Sequence, residues 1–323
     1  MLRRLIAFVA VLVLAAGASA PAAQAEPTLK RIKMATFTAP DLREVEQRYL
    51  EGLGYIVRER GKVSPSLAES WGAPRSAGRP YILMSPDGHP DVFIRAVQAP
   101  LVPGYAPLTT WGWNAIELIV DDTDALHDRL RESAFEVIGE PEPLQNFPSI
   151  HALQVQGSSQ EVLYLASERG DRSSSILPLP NGDVGRIFIM VVAGADVELM
   201  LDWYTDKFSL HRGQVRERVV GLLTRAQNLP PGQPLPLTTV RLAQHGNLIQ
   251  LDGYSEIAGP RVQHQGELPP GVAMSSFTVV ALDELDLDYL TSPAVQPGLA
   301  YGGRRSAVVR GPSGELVELI EEP

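Results

Sequence analysis

The sequence predicts an α+β protein built from four copies of one βαβββ module. Three observations predict it. The two halves of the chain carry the same order of signals, a polar stretch rich in Ser, Gly and Pro separates them near the midpoint, and each copy closes on a hairpin with a glycine turn. Each copy spans about 70 residues.

The first module, at about residues 28–98, opens on RIKMATFTA, where apolar and polar residues alternate as in a half-buried strand. Pro40 and Asp41 turn the chain. LREVEQRYLEGLGYIV then places apolar residues at helical spacing and stops at Gly52 and Gly54. RPYILMSPDGHPDVFIRAVQ reads as two strands around the turn Ser85-Pro86-Asp87-Gly88. The second module, at about 108–168, gives strand NAIELIVDD, helix TDALHDRLRES, strand FEVIGEP and hairpin IHALQVQGSSQEVLYLASE. A linker over 169–182 follows, in the stretch ASERGDRSSSILPLPNGD.

The third module, at about 183–254, repeats strand and helix in VGRIFIMVVAGADVELMLDWYTDKFSL and closes on TTVRLAQHGNLIQLDGY. Its Pro-rich run NLPPGQPLPLTT, Asn228 to Thr239, is an excursion that either covers a cavity or forms a plain surface loop. The fourth, at about 268–323, is predicted as strand and helix in MSSFTVVALDELDLDYL, then the hairpin RSAVVRGPSGELVELIEEP.

Composition bounds the function. An apolar share of 44% over 323 residues suits a folded chain of two domains. A net charge of -10, with no basic run and no glycine-rich phosphate loop, argues against nucleic-acid partners. The segment MLRRLIAFVAVLVLAAGASAPAAQAEP has a basic start at Arg3 and Arg4, an apolar run from Leu5 to Ala16, and a small-x-small site at Ala23 to Ala25. Residues 1–25 therefore read as a cleaved signal peptide, the run being too short for a spanning helix and broken by Pro21, and the mature protein is expected in the periplasm or outside the cell without stable membrane insertion. No cysteine is present, so disulfides, thiolate metal sites and cysteine nucleophiles are excluded. The six histidines form no HxH, HxxH or HExxH group, and GxSxG, GxGxxG and Walker patterns are missing.

Four βαβββ units with strand starts such as AIELIVDDTDAL, helix ends such as YLEGLGYIV and WYTDKFSL, and closing hairpins such as GPSGELVELIE resemble the vicinal oxygen chelate superfamily of glyoxalase I, extradiol dioxygenases and bleomycin-resistance proteins. The resemblance covers about Thr28 to Pro323. It implies that modules pair into two cup-shaped domains, 27–168 and 183–323, each with inward-facing side chains around one cavity. Metal-dependent members take four ligands from the first and last strands of the paired modules. Carried over, those places hold Met34, Arg95, Ala115 and Tyr164 in the first pair, and Arg186 or Phe188, Gln250, Met274 and Glu318 in the second. The first set has no anionic or imidazole donor and the second only Gln250 and Glu318 as oxygen donors, so no metal or other cofactor is expected; a divalent ion on those two is the weaker alternative.

The resemblance places Glu318 facing inward, with Arg186 or Gln250 as the partner its burial requires. Glu117 shares a strand face with Ala115, so it joins Arg95 and Tyr164 in a polar cluster able to bind an oxygenated ligand. Glu318, Glu117 and Tyr164 are the candidate catalytic groups, and Arg95, Arg186, Gln250, His151, Met34 and Met274 the candidate binding groups. The plain readings are a structural bridge to Arg186 or to water for Glu318, a structural Arg-Glu-Tyr network for Glu117 with Arg95 and Tyr164, and a strand-end surface histidine for His151. Trp71, Trp111 and Trp113 line either a ligand pocket or the core, while His89 and His245 fall in hairpin turns. The expected function is metal-independent lyase or isomerase chemistry on a small apolar or aromatic carbonyl compound. Binding without turnover, as in bleomycin-resistance proteins, and a metal-dependent dioxygenase or lyase are the alternatives. The expected state is a monomer or a homodimer.

Overall fold

Each module begins with a strand that is buried along nearly its whole length, and in the first three modules that strand leads to a helix capped by its own sequence. The computed structural model describes residues 26–322, so the expected signal peptide lies outside the described residues. In module one, β1 (Ile32–Ala39) leads to Asp41, whose carboxylate accepts from the backbone N–H groups of Arg43 and Glu44 and starts α1 (Leu42–Leu53). Gly54, at φ 69°, ends that helix in the left-handed conformation. β2 (Ile56–Lys62), a short α2 (Pro65–Ser70), β3 (Pro80–Ser85) and β4 (Phe93–Gln98) complete the module.

Module two repeats the plan with β5 (Gly112–Val120), α3 (Thr123–Arg131) capped by Asp122, then β6 (Glu136–Leu144), β7 (Phe147–Gln156) and β8 (Val162–Glu168). Module three has β9 (Val184–Gly194), α4 (Val197–Phe208) capped by Asp196, a short β10 (Arg216–Arg218), α5 (Gly221–Ala226), β11 (Leu235–Arg241) and β12 (Leu248–Gly253).

Module four departs from the prediction. After β13 (Val272–Val279) the helix is replaced by a single 3-10 turn, Leu282–Glu284, and an extended run, before β14 (Ala294–Val295), β15 (Arg305–Arg310) and β16 (Leu316–Glu321). Ala281 stands where the other modules have a capping aspartate, and it offers no side-chain bond. In the run that follows, Leu285, Leu287 and Tyr289 pack on the core while Asp286 and Asp288 are exposed. That is period two, and Asp is a poor helix former, so the extended form buries the apolar residues better than a helix would.

The modules do not pair as neighbours in sequence. One eight-stranded sheet runs β14-β15-β16-β13-β1-β4-β3-β2 and joins module one to module four; the other runs β10-β11-β12-β9-β5-β8-β7-β6 and joins two to three. The joints are antiparallel, β1 on β13 and β5 on β9. The cups are therefore one-with-four and two-with-three, not the domains 27–168 and 183–323 expected above. Alternation of side chains fixes which face a strand buries, but a backbone edge carries no side-chain mark of its partner. Both sheets nevertheless close within one chain.

The helix-bearing faces of both sheets share the largest core, which includes Phe37, Tyr49, Ile116, Met190, Tyr204 and Phe277. Each half of the chain holds its modules together across that core. Arg48 of α1 meets Glu161 of module two at 2.8 Å, and the Tyr204 hydroxyl of α4 donates to Glu315 of module four at 3.1 Å. Each of these glutamates follows a hairpin turn, in GSSQE and GPSGE, and is buried.

Candidate functional site

The cup of modules one and four is closed by its own side chains. Thr36 of β1 pairs with Arg95 of β4, and Ser276 of β13 with Glu318 of β16, so the cup holds an arginine and a glutamate at equivalent places. Both are buried, and the guanidinium lies 3.6 Å from the carboxylate. Glu318 also accepts from Trp71 Nε1 at 3.1 Å, from the Tyr301 hydroxyl at 2.9 Å and from Ser276. Arg95 donates to Tyr301 at 2.7 Å and to Thr36 at 3.1 Å, and stacks over the Trp71 ring at 4.5 Å. Met34, Met274, Phe93 and Leu316 fill the rest. Glu318 faces inward as expected, but its cation is Arg95, not Arg186, and Gln250 lies in the other sheet.

The cup of modules two and three is different. Glu117 of β5 stands opposite Tyr164 of β8, and across β9 the inner face of β12 carries Gln250, Asp252 and Tyr254. A cavity of about 620 Å³ lies between β6, β7 and the segment Val219–Arg225 and meets this face at Tyr164, with Gln154 and Ala152 also in its wall; Glu117, Gln250, Asp252 and Tyr254 lie behind that wall. Gln250 keeps part of its surface open, and its amide donates to Asp252 Oδ1 at 2.9 Å. Asp252 Oδ2 and the hydroxyls of Tyr164 and Tyr254 are buried without a hydrogen-bond partner. Such groups are uncommon inside proteins, and three of them share this inner face.

The electrostatics follow from burial. The Glu117 carboxyl is pushed up to about 8 by burial and then by the neighbouring Asp252. Burial raises Asp252 to about 7, against the hydrogen bond from Gln250. Among the described residues no cation contributes to the shift of either group. Burial also moves both tyrosine hydroxyls upward, so they remain donors at neutral pH.

The remaining expected residues fall elsewhere. Arg95 is in the closed cup and cannot join Glu117. Arg186 donates to the Ile187 carbonyl and to Asn247 at the base of the β11–β12 hairpin. His151 shares its face of β7 with Leu153 and Val155, which pack in the helix-side core, so it points away from the cup. Trp71 is core of the closed cup, and Trp113 donates to the Leu316 carbonyl between the sheets at 2.7 Å. The Pro-rich run joins α5 to β11; the cover over the open cup is the segment just before it. Asp252 and Tyr254 were missed. Period two from Gln250 in LIQLDGY places both on its face, and that signal was available.

The donor set does not fit the divalent metal that the resemblance brings with it. The place seven residues before each helix start holds Met34, Ala115, Ile189 and Met274, so Ile189 replaces the expected Arg186 or Phe188. The last-strand places hold Arg95, Tyr164, Gln250 and Glu318, and the two oxygen donors expected to act together lie in different cups. Among the described residues no three His, Asp or Glu side chains converge.

No family model matches the chain, and no curated protein matches it. Solved structures do. Glyoxalase I from Zea mays superposes over 90% of this chain and 92% of its own, with a TM-score of 0.59 at 15% identity. A candidate dioxygenase from Bacillus subtilis superposes over 93% of this chain and 87% of its own, with a TM-score of 0.59 at 11% identity. At these identities the likeness is one of fold.

Proposed function

We propose, from the premise that this chain has the vicinal oxygen chelate fold, that it is an exported protein enclosing a small apolar or aromatic carbonyl compound in the cup of modules two and three. There it moves a proton without a metal, as a lyase or isomerase does. The observation that carries the reading is Glu117, a buried carboxyl pushed up to about 8 by burial and paired across the strands with Tyr164, whose hydroxyl has no partner and whose side chain lines an open cavity. The ionised Glu117 takes a proton from the carbon next to the carbonyl. Tyr164 donates to the carbonyl oxygen as negative charge develops on it. The proton returns to a neighbouring atom in an isomerisation, or to a leaving group in an elimination. Glu318 takes no part, because its cup is closed.

The test is exchange of the α-proton of acetophenone-type ketones in D2O, followed by NMR with chelator present. Exchange that falls about 100-fold or more in Glu117→Gln supports the reading. Binding with no exchange makes this a binding protein, and exchange that appears only with added divalent metal makes it a metal enzyme.

A further inference from the structure

We propose that the ligand of this cup also carries an organic cation, an amine or a guanidine, and that Asp252 receives it. The inference rests on the reading of the two-with-three cup as the binding site and names a further property of its ligand. The closed cup serves as an internal comparison. Five residues before each helix start stand Thr36, Glu117, Val191 and Ser276, and the last-strand residues paired with them are Arg95, Tyr164, Gln250 and Glu318. Where the closed cup has one carboxylate matched by one guanidinium, the open cup has two carboxyls, Glu117 and Asp252, and no cation among the described residues that faces them.

The nearby arginines are engaged or outside. Arg261 donates to the carbonyls of Trp113, Val272 and Pro270 and lies over Tyr105. Arg225 donates to the Ile138 carbonyl at the cavity mouth, and Arg241 is exposed on β11. A buried carboxylate without a counter-charge is costly, so the site stays protonated until a cation arrives.

The geometry around Asp252 fits an ammonium. Gln250 holds Oδ1 at 2.9 Å and so fixes the carboxylate plane, leaving Oδ2 free and buried. Tyr254, two residues on along the same face, offers a second free oxygen. An ammonium brings three N–H donors for Asp252 Oδ2 and the Tyr254 oxygen, and a charge that matches the ionised Asp252, which a neutral carbonyl or alcohol does not bring. A metal ion bridging both carboxyls fits less well. Glu117 and Asp252 supply two carboxyls, and among the described residues no third His, Asp or Glu side chain joins them, too few for a dedicated cation cage.

Calorimetric titration of the mature protein with benzylamine and with benzyl alcohol, near neutral pH in two buffers of different ionisation enthalpy, tests this. Benzylamine is expected to bind about tenfold tighter or more, with net release of protons as Asp252 ionises. In Asp252→Asn the preference and the proton release both vanish while benzyl alcohol still binds, which shows that the cup is intact. Equal affinities, no binding of either compound, or a preference that survives Asp252→Asn would each overturn the inference. So would Mn2+ that binds alone, displaces benzylamine and is lost in Asp252→Asn. Ketone proton exchange without amine preference leaves the acid/base reading standing and sinks this one; amine preference without exchange does the reverse.

Discussion

Glu318 accepts hydrogen bonds from Trp71, Tyr301 and Ser276 and lies beside Arg95, whereas among the described residues no side chain donates to Glu117. The same residue type is thus neutralised by a partner in one cup and by a proton in the other. Arg95→Met should cost about 3–5 kcal/mol, since it strands a buried carboxylate, yet leave ligand affinity in the open cup unchanged; urea denaturation and calorimetry check the two halves of that statement. The sign for Glu117 is opposite to that of a salt-bridged acid. Its folded value of about 8 exceeds the ordinary 4.5, so the folded state binds the extra proton, and stability falls as pH rises between those values. Asp252 adds a similar fall that ends near 7. Melting temperature should therefore decline from about pH 5 to 8 in the wild type, at up to about 1.4 kcal/mol per unit for each group. In Glu117→Gln the decline should be shallower and end near pH 7, and an unchanged profile would show that Glu117 is not held protonated.

Among the elements, the three capped helices and the uncapped run of module four form a natural comparison. Asp41, Asp122 and Asp196 each cap a helix start, and replacing any one by Ala should cost about 1 kcal/mol. After Ala281 the chain follows its period-two pattern. Leu285→Ala and Leu287→Ala should each cost about 1–2 kcal/mol, being partly buried, while Asp288→Ala stays within about 0.5. Equal effects at Leu287 and Asp288 would contradict the extended form. The β6–β7 hairpin and the segment before α5 frame the cavity, with Leu144, Phe147 and Val219 exposed there. In the closed cup Trp71 and Tyr301 are buried in the core itself.

At the scale of the whole molecule, every sheet contains strands from both halves of the chain. Neither half can complete a sheet alone: the first would expose the long inner edges of β1 and β5, the second those of β13 and β9. Residues 26–170 and 171–323 expressed separately should fail to form folded monomers, while co-expression should recover a 1:1 complex with cooperative unfolding. A stable monomeric half, detected by circular dichroism and analytical ultracentrifugation, would contradict the interleaved sheets. Thermal unfolding of the intact chain should likewise be one transition observed equally by the Trp71 and Trp203 surroundings, which lie on different faces of the structure.

Local signals determined the modules. Alternation in AIELIV, caps at Asp41, Asp122 and Asp196, and the turns GSSQE and GPSGE are readable because each depends on neighbours within a few residues. Glu117, Tyr164, Gln250 and Glu318 could be placed on inner faces for the same reason. The helix expected after Val279 failed on a pattern that was present but short, where period two and period 3.6 compete over few residues. Which cup each inward residue entered was settled only by tertiary structure, since strand edges carry no side-chain signature, and the choice moved Arg95 to Glu318 and left Glu117 without a cation. The sequence by itself therefore determined the set of inward-facing groups, while the pairing of β1 with β13 and β5 with β9 decided which of them meet, which carboxyl is matched, and which cup stays open.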